Sequence, residues 1–385
     1  MTRLQADWLA DPAAQRVCAM LESAGHAAYF VGGCVRNALI DAPVQDLDLS
    51  TDARPQDVMM LAEDAGLKAV PTGIDHGTVT VVSDGRPFEI TTFRRDVATD
   101  GRRAKVSFAD TIEADASRRD FTMNALYADA RGVVHDPLGG LPDLQARRVR
   151  FIDDPAQRIR EDYLRILRFF RFHAWFGDAQ AGLDAEGLAA CAEHAEGIEG
   201  LSKERIGHEM LRLLAAPDPA PAVAAMAQAG VLMRVIAGAE PSILPVLVHL
   251  EQEAGIEPDP IPRLASLGGE DVTAALRLRK VDARRREVLR AAALDGPAVE
   301  ELGYRLGVQE GTAALLLRHA ALGQPIEKQT LTRLNVASEQ VFPVRAADLQ
   351  PRLEGPALGR ALRRLETDWI ASGFTRTRAD LIKSL

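Results

Sequence analysis

The sequence is short of the features that mark several protein classes. It holds three cysteines, Cys18, Cys34 and Cys191. With no Cys-x-x-Cys and no Cys/His group at zinc spacing, structural zinc is not expected and a reducing, cytoplasmic setting is. No run approaches the roughly 18 apolar residues that cross a bilayer, and the opening MTRLQADWLADPAAQ lacks the apolar core of a secretory signal. Aromatic residues are scarce at 5%, and charged residues reach 26%, a balance that fits a largely helical folded chain rather than a disordered one. The histidines, among them His26, His76, His135 and His173, show neither triad nor metal spacing. No cysteine sits in a nucleophile context, so covalent catalysis is not expected. Positive charge is also in deficit, with a net −9. That alone does not exclude RNA, which responds to local potential.

What is present divides unevenly. The chain has 385 residues, 47% of them hydrophobic, enough for two or three cores. Asp11-Pro12 opens a first helix and Gly25 closes it. A strand at Ala28–Val31 runs into Gly32-Gly33, and a short helical segment leads to Asp46-Leu47-Asp48-Leu49. The segment Arg54–Ala65 has helical spacing. Thr78–Val82 and Phe88–Thr92 read as strands joined by a hairpin at Asp84-Gly85, and another hairpin surrounds Asp129–Gly132. Between them, Phe93–Ala116 is charged and patternless and reads as a mobile loop. Beyond Phe151 the strands stop, and helices punctuated by Gly and Pro continue to the end without a fixed-period repeat. The expected class is α+β: a mixed sheet with helices over 1–150, then an all-helical remainder.

Three groups of residues carry chemistry. Gly-Gly after a strand offers backbone N–H groups and room for a phosphate. Asp46 and Asp48 fall on one side of a strand, and alternation places Glu89 where a third carboxylate could join them. Such a set suits Mg²⁺, which prefers carboxylate and phosphate oxygens. For Glu89, an ordinary exposed strand residue stays equally open. Second, Arg158–Arg171 (RIREDYLRILRFFR) reads as one helix with a buried stripe at Leu164, Leu167 and Phe170. Asp162, Arg165, Arg168 and Arg171 recur every third residue, a row that could track a ligand or could be a solvated, ion-paired face. Third, Arg118-Arg119-Asp120 suits a phosphate and a ribose hydroxyl, or an ordinary surface turn. A further basic stretch, Arg277–Arg290, would align Arg279, Arg286 and Arg290 loosely as a solvated or phosphate-tracking strip.

In order, these segments resemble the motifs of the class II CCA-adding tRNA nucleotidyltransferases and bacterial poly(A) polymerases. Gly32-Gly33-Cys34-Val35-Arg36-Asn37 with Asp46-Leu47-Asp48 is similar to the first motif, and Arg118–Ala125 to the second. Asp136-Pro137 through Asp143-Leu144 resembles the third, Glu161–Arg165 the fourth, and Leu201–Ile206 with Glu209 the fifth. The resemblance implies a nucleotidyltransferase head over 1–150, a helical neck over 151–215 and a tRNA-binding body and tail over 216–385. It implies that Asp46 and Asp48 hold the catalytic metal, that Gly33 and Arg36 hold the triphosphate, and that Arg119 and Asp120 contact the nucleotide. Asp162 and Arg165 would select C or A, and Arg168 and Arg171 would reach the phosphates. CTP, ATP and the 3′ end and elbow of tRNA are the implied partners. The family usually has Asp where this chain has Asn37; an amide still hydrogen-bonds, so the site is expected to survive.

Overall fold

The computed structural model describes residues 2–99, 104–294, 296–350 and 352–385. The chain forms two compact units, Met1–Glu209 with Gln228–Val235, and Met210–Ala227 with Ile236–Leu385.

In the first unit, Asp11 caps α1 (Pro12–Ser23) by accepting the Ala13 N–H at 2.8 Å. β1 (Tyr29–Val31), α2 (Gly33–Leu39), β2 (Asp48–Thr51) and α3 (Pro55–Asp64) follow, then β3 (Lys68–Gly73), β4 (Thr78–Ser83) and β5 (Arg86–Thr92). In β4 and β5 the buried Val79, Val81, Phe88 and Ile90 alternate with more open residues. Asp84 and Gly85 turn the hairpin at φ 50° and 76°, the pair of positive angles that a two-residue connection requires. β8 (Tyr127–Asp129) and β9 (Val134–His135) complete a seven-stranded sheet in the order β3-β4-β5-β2-β1-β8-β9. Only β2 and β5 run parallel; the other neighbours are antiparallel. β3 carries Pro71 and lies at the sheet edge, where a missing N–H is tolerated; its sequence gave no strand signal.

Two expectations for this unit need correction. The stretch read as a mobile loop forms an antiparallel ribbon of β6 (Arg94–Thr99) and β7 (Ala104–Phe108), followed by α4 (Ile112–Ser117). Residues 100–103 of that stretch lie outside the described residues. The alternating Ala104, Val106 and Phe108 are too few to stand out among the flanking charges. Phe108 anchors the ribbon by lying under the Arg54 guanidinium, 5.1 Å from ring centroid to Cζ. The second correction concerns Arg158–Arg171. After α5 (Leu141–Gln145) come two helices, α6 (Pro155–Glu161) and α7 (Leu164–Phe176), broken at Asp162, whose backbone is extended at φ −155°, ψ 105°. The Asp162 carboxylate accepts the Leu164 N–H at 3.1 Å, restarting the helix. α7 is buried round most of its girth, Ile166, Phe169 and Phe172 as well as the expected stripe, because Phe121 and Phe151 pack against it. α8 (Ala185–Glu193) and α9 (Lys203–Leu214) follow.

Tyr163, in the break, packs on the backbone of the 3-10 turn Ala195–Gly200. A Cβ built at Gly197 would lie 1.9 Å from its ring. Gly197→Ala should therefore displace Tyr163 and cost about 1–3 kcal/mol, read as a fall in the denaturant midpoint. An unchanged midpoint would show that the ring moves aside freely.

Among the described residues, the second unit contains no β-strand. Helices Leu244–Glu253, Pro260–Ser266, Lys280–Leu294, Val299–Leu322 and Lys328–Ser338 enclose two apolar cores, and Gly355–Ala371 and Arg378–Lys383 close a third around Trp369. Buried Arg263 pairs with Glu251 at 2.8 Å and donates to the carbonyls of Leu214 and Ala216. The basic strip expected over Arg277–Arg290 does not form. Arg286 and Arg290 turn inward to the carbonyls of Gly268 and Ala265, and Arg279 pairs with Asp282. The Ala265 carbonyl lies in the last turn of a neighbouring helix and that of Gly268 just beyond it, and long guanidinium side chains satisfy both.

Candidate active site

The site lies in the first unit, where β1 ends and its antiparallel neighbour β2 begins. Gly32 sits at φ 70°, and a Cβ there would meet the Arg119 Nη1 at 3.3 Å. Both conditions favour glycine. Asp48 opens β2 as the direct cross-strand partner of Glu89 on β5, and both face solvent. Asp46 lies two residues earlier, exposed and just before the strand begins. Although Asp48 is open to solvent on one side, desolvation by the protein atoms crowding its other side holds the carboxyl above its ordinary pKa, with the Glu89 charge and then Asp46 adding to it and Arg119 opposing. A dication would offset that repulsion. Among the described residues, no three carboxylate, histidine or cysteine groups are placed to hold a metal ion together. Asp46, Asp48 and Glu89 therefore do not form a ready-made ligand set, and phosphate oxygens and water would have to supply most of a coordination shell, as suits Mg²⁺.

Behind the carboxylates lies a buried polar network. Arg119 donates to Tyr127 Oη at 3.2 Å and to Asp115 at 3.0 Å, while Tyr127 donates to Asp115 at 2.8 Å. Fully buried Asp115 is held down to a pKa of about 2: burial opposes ionisation, but Arg119 and Arg118 outweigh it. Asp120 is engaged on every side. Its Oδ1 accepts from the Phe121 N–H and the Asn124 amide, both at 2.9 Å, and its Oδ2 accepts twice from Arg168. These four bonds fill the lone pairs of a carboxylate, so a ribose hydroxyl would have to displace one of them. Asn124 joins this group to Arg36, whose guanidinium also donates to Asn37 and lies over the ring of Phe176. The Asn37 amide donates onward to the Pro43 carbonyl at 2.7 Å, a bond that an aspartate could not make.

The row on α6 and α7 is ion-paired. Arg158 and Arg165 share Glu161, and Arg171 pairs with Glu209 on α9. Arg165 also donates to the carbonyls of Arg158 and Arg118, tying the second-motif segment to the helices. Asp162 and Arg205 form an ion pair at 2.6 Å, each about one-third exposed. Arg36, Asp120, Arg168 and Arg171 are thus brought together through Asn124 and the Phe172 ring, while Arg119 turns to Asp115 and Tyr127 and acts on Asp48 only through its charge. Sequence reasoning missed Asp115, Tyr127, Phe172 and Phe176. The i, i+4, i+8 spacing of Arg168, Phe172 and Phe176 was a usable signal for the last two.

Carboxylates suited to a cation beside a glycine turn, backed by buried guanidinium groups, are the equipment of a protein that transfers nucleotides. Comparison with known proteins agrees. Residues 28–150 match the poly A polymerase head domain, and residues 182–242 match the probable RNA- and SrmB-binding site of polymerase A. CCA tRNA nucleotidyltransferase 1, mitochondrial, of Mus musculus is 31% identical over 373 residues, covering 93% of this chain and 86% of that protein. The Bacillus stearothermophilus CCA-adding enzyme, solved in complex with CTP, superposes with a TM-score of 0.72 at 26% identity over 94% of each chain. The Thermotoga maritima CCA-adding enzyme, solved with tRNA, shares the fold at a TM-score of 0.71 and 19% identity, over 100% of this chain and 98% of that one. The chain belongs to the CCA tRNA nucleotidyltransferase family.

Proposed function

We propose that this protein adds CMP and AMP from CTP and ATP to the 3′ end of tRNA. The observation that carries this reading is the parallel register setting Asp48 beside Glu89 next to the Gly32-Gly33 turn, in a chain related over most of its length to a tRNA nucleotidyltransferase. The terminal ribose 3′-oxygen attacks the α-phosphorus, the bond to the β-phosphate oxygen breaks, and pyrophosphate leaves with that electron pair. Asp46 and Asp48, with Glu89 as the third carboxylate, would hold Mg²⁺. Bound there, the ion would favour the 3′-alkoxide and spread the charge of the leaving pyrophosphate. Gly33 leaves room for the triphosphate, and Arg36 faces its charge. Arg119 serves the nucleotide beside Asp48, while Asp120 reaches the ribose once one of its four bonds yields.

Asp162 and Arg165 are assigned the base edge, with Arg205 giving way at Asp162. Arg168 and Arg171 supply positive potential toward the phosphates. Positioning and electrostatics carry the rate. In this reading residues 1–150 are the catalytic head, 151–215 the neck that selects the nucleotide, and 216–385 the body and tail that hold tRNA. A cytoplasmic location fits the sparse, unpaired cysteines, all three buried and free. Among the described residues no helix is long and apolar enough to cross a membrane.

The test supplies tRNA lacking its terminal CCA with each nucleotide separately and together. Two cytidines are expected from CTP alone, a complete CCA from both, and no extension from ATP alone. A long adenosine tail from ATP alone would replace this reading with that of a poly(A) polymerase, and a stop after two cytidines with both present would indicate a partial adder.

A further inference from the structure

Arg36 is 7% exposed, yet among the described residues no carboxylate forms an ion pair with it. Its Nη1 donates to Asn124, and its Nε and Nη2 donate to Asn37 at 3.1 and 2.8 Å, all to neutral amide oxygens. The neighbouring cations differ: Arg168 has Asp120 and Arg171 has Glu209. What Arg36 has instead is aromatic surface. Its Cζ lies 3.9 Å from the centroid of Phe176 and 5.2 Å from that of Phe172. Phe172 also lies 5.2 Å from Arg168 and 4.6 Å from Arg171. A ring face attracts a cation without neutralising it, whereas a carboxylate would cancel the charge. Three guanidinium groups therefore gather round one ring with two carboxylates among them, and the surplus charge rests on Arg36. Burial lowers its pKa to about 10, with the more distant Asp120 charge opposing and repulsion from Arg171 and Arg168 adding to the fall. Three of its five N–H groups are used. The Nη2 lies 3.9 Å from where Gly33 would carry a Cβ, so the nitrogen bearing one of the spare donors borders the glycine turn.

We propose that Phe176, with Phe172 beneath it, is a positioning residue for the nucleotide triphosphate: the rings hold the Arg36 guanidinium by its face and leave its charge and its free edge for the incoming polyanion. This rests on the reading of Arg36 as the triphosphate contact. α7 supplies both rings one turn apart, and helix geometry fixes their spacing. The arrangement explains how a cation stays buried beside two others without a carboxylate that the substrate would have to displace.

The experiment uses the full chain with Mg²⁺. It measures calorimetric binding of inorganic tripolyphosphate and of CTP, together with KM and kcat for CTP, in the parent and in Phe176→Met, Phe176→Tyr and Arg36→Gln. Methionine keeps apolar bulk without a ring, so the fold is retained. We expect Phe176→Met to weaken both ligands and raise KM on the order of tenfold, with kcat falling far less, and Phe176→Tyr to restore parent values. If Arg36→Gln weakens tripolyphosphate but Phe176→Met does not, the role of the ring is overturned and the reading of Arg36 stands. If Arg36→Gln binds tripolyphosphate like the parent, the Arg36 reading itself fails. Equal damage by tyrosine and methionine, or a fall in kcat at constant KM, would reduce Phe176 to packing and overturn the proposal.

Discussion

Asp48→Ala is expected to reduce nucleotidyl transfer by roughly 10³-fold or more, as loss of a metal-holding carboxylate does when positioned charge carries the rate. The fold should survive, because Asp48 is exposed at the start of β2 and, among the described residues, no hydrogen bond holds its carboxylate. A small gain in stability at neutral pH is expected as well. The folded-state pKa of Asp48 lies above its unfolded value, so the ionised group is disfavoured in the folded state and costs stability wherever it is charged. Removing it relieves the repulsion with Glu89. Single-turnover incorporation of cytidine and a urea titration measure the two effects. Near-parent turnover with an intact fold would sink the assignment of the carboxylates.

Asp120→Ala should do the opposite to stability. It leaves Arg168, the Asn124 amide and the Phe121 N–H without their shared acceptor, Asp120 itself being only 6% exposed. Removing one partner of a buried pair costs about 3–5 kcal/mol, and activity should fall with it because Asn124 also holds Arg36. The same carboxylate makes the protein acid-sensitive. Its pKa is about 2, as is that of Asp115, with burial opposing ionisation and Arg168 in one case, Arg119 in the other, prevailing. Depressed values mean that the stabilisation is present above the unfolded-state pKa of about 4 and is lost as pH falls from there toward 2. Urea midpoints measured between pH 5 and 2 should drop steeply in the parent and less in Asp120→Asn, whose neutral amide does not titrate. Parallel curves would show that Asp120 does not set the acid limit.

The β4–β5 hairpin and the Gly32-Gly33 turn were legible because their causes are local. Alternation placed Phe88 and Ile90 inside and Glu89 outside, and Asp84-Gly85 specified its turn without outside help. What was not legible depended on partners remote in sequence. The break at Asp162 hides in a helical pattern, since a carboxylate accepting a backbone N–H competes with the helix only once Tyr163 has found Gly197. Arg286 and Arg290 looked like a surface strip until carbonyls of another helix claimed them. The arginine row on α7 left a ligand track and an ion-paired face both open, because Asp120 and Glu209, which pair with two of its members, stand 48 and 38 residues away. Charge in a linear pattern says little about net potential when the counter-charges arrive through folding.

The parallel pairing of β2 with β5 also governs the order of events during synthesis. A chain that has emerged only through α3 already holds Asp46 and Asp48, but their neighbour Glu89 is not yet made. The carboxylates meet only after the intervening helix and hairpin have closed that loop, an entropic step that local pairing does not share. Cation binding should accordingly appear late in refolding, after the β4–β5 hairpin, and would serve as a clock for completion of the sheet.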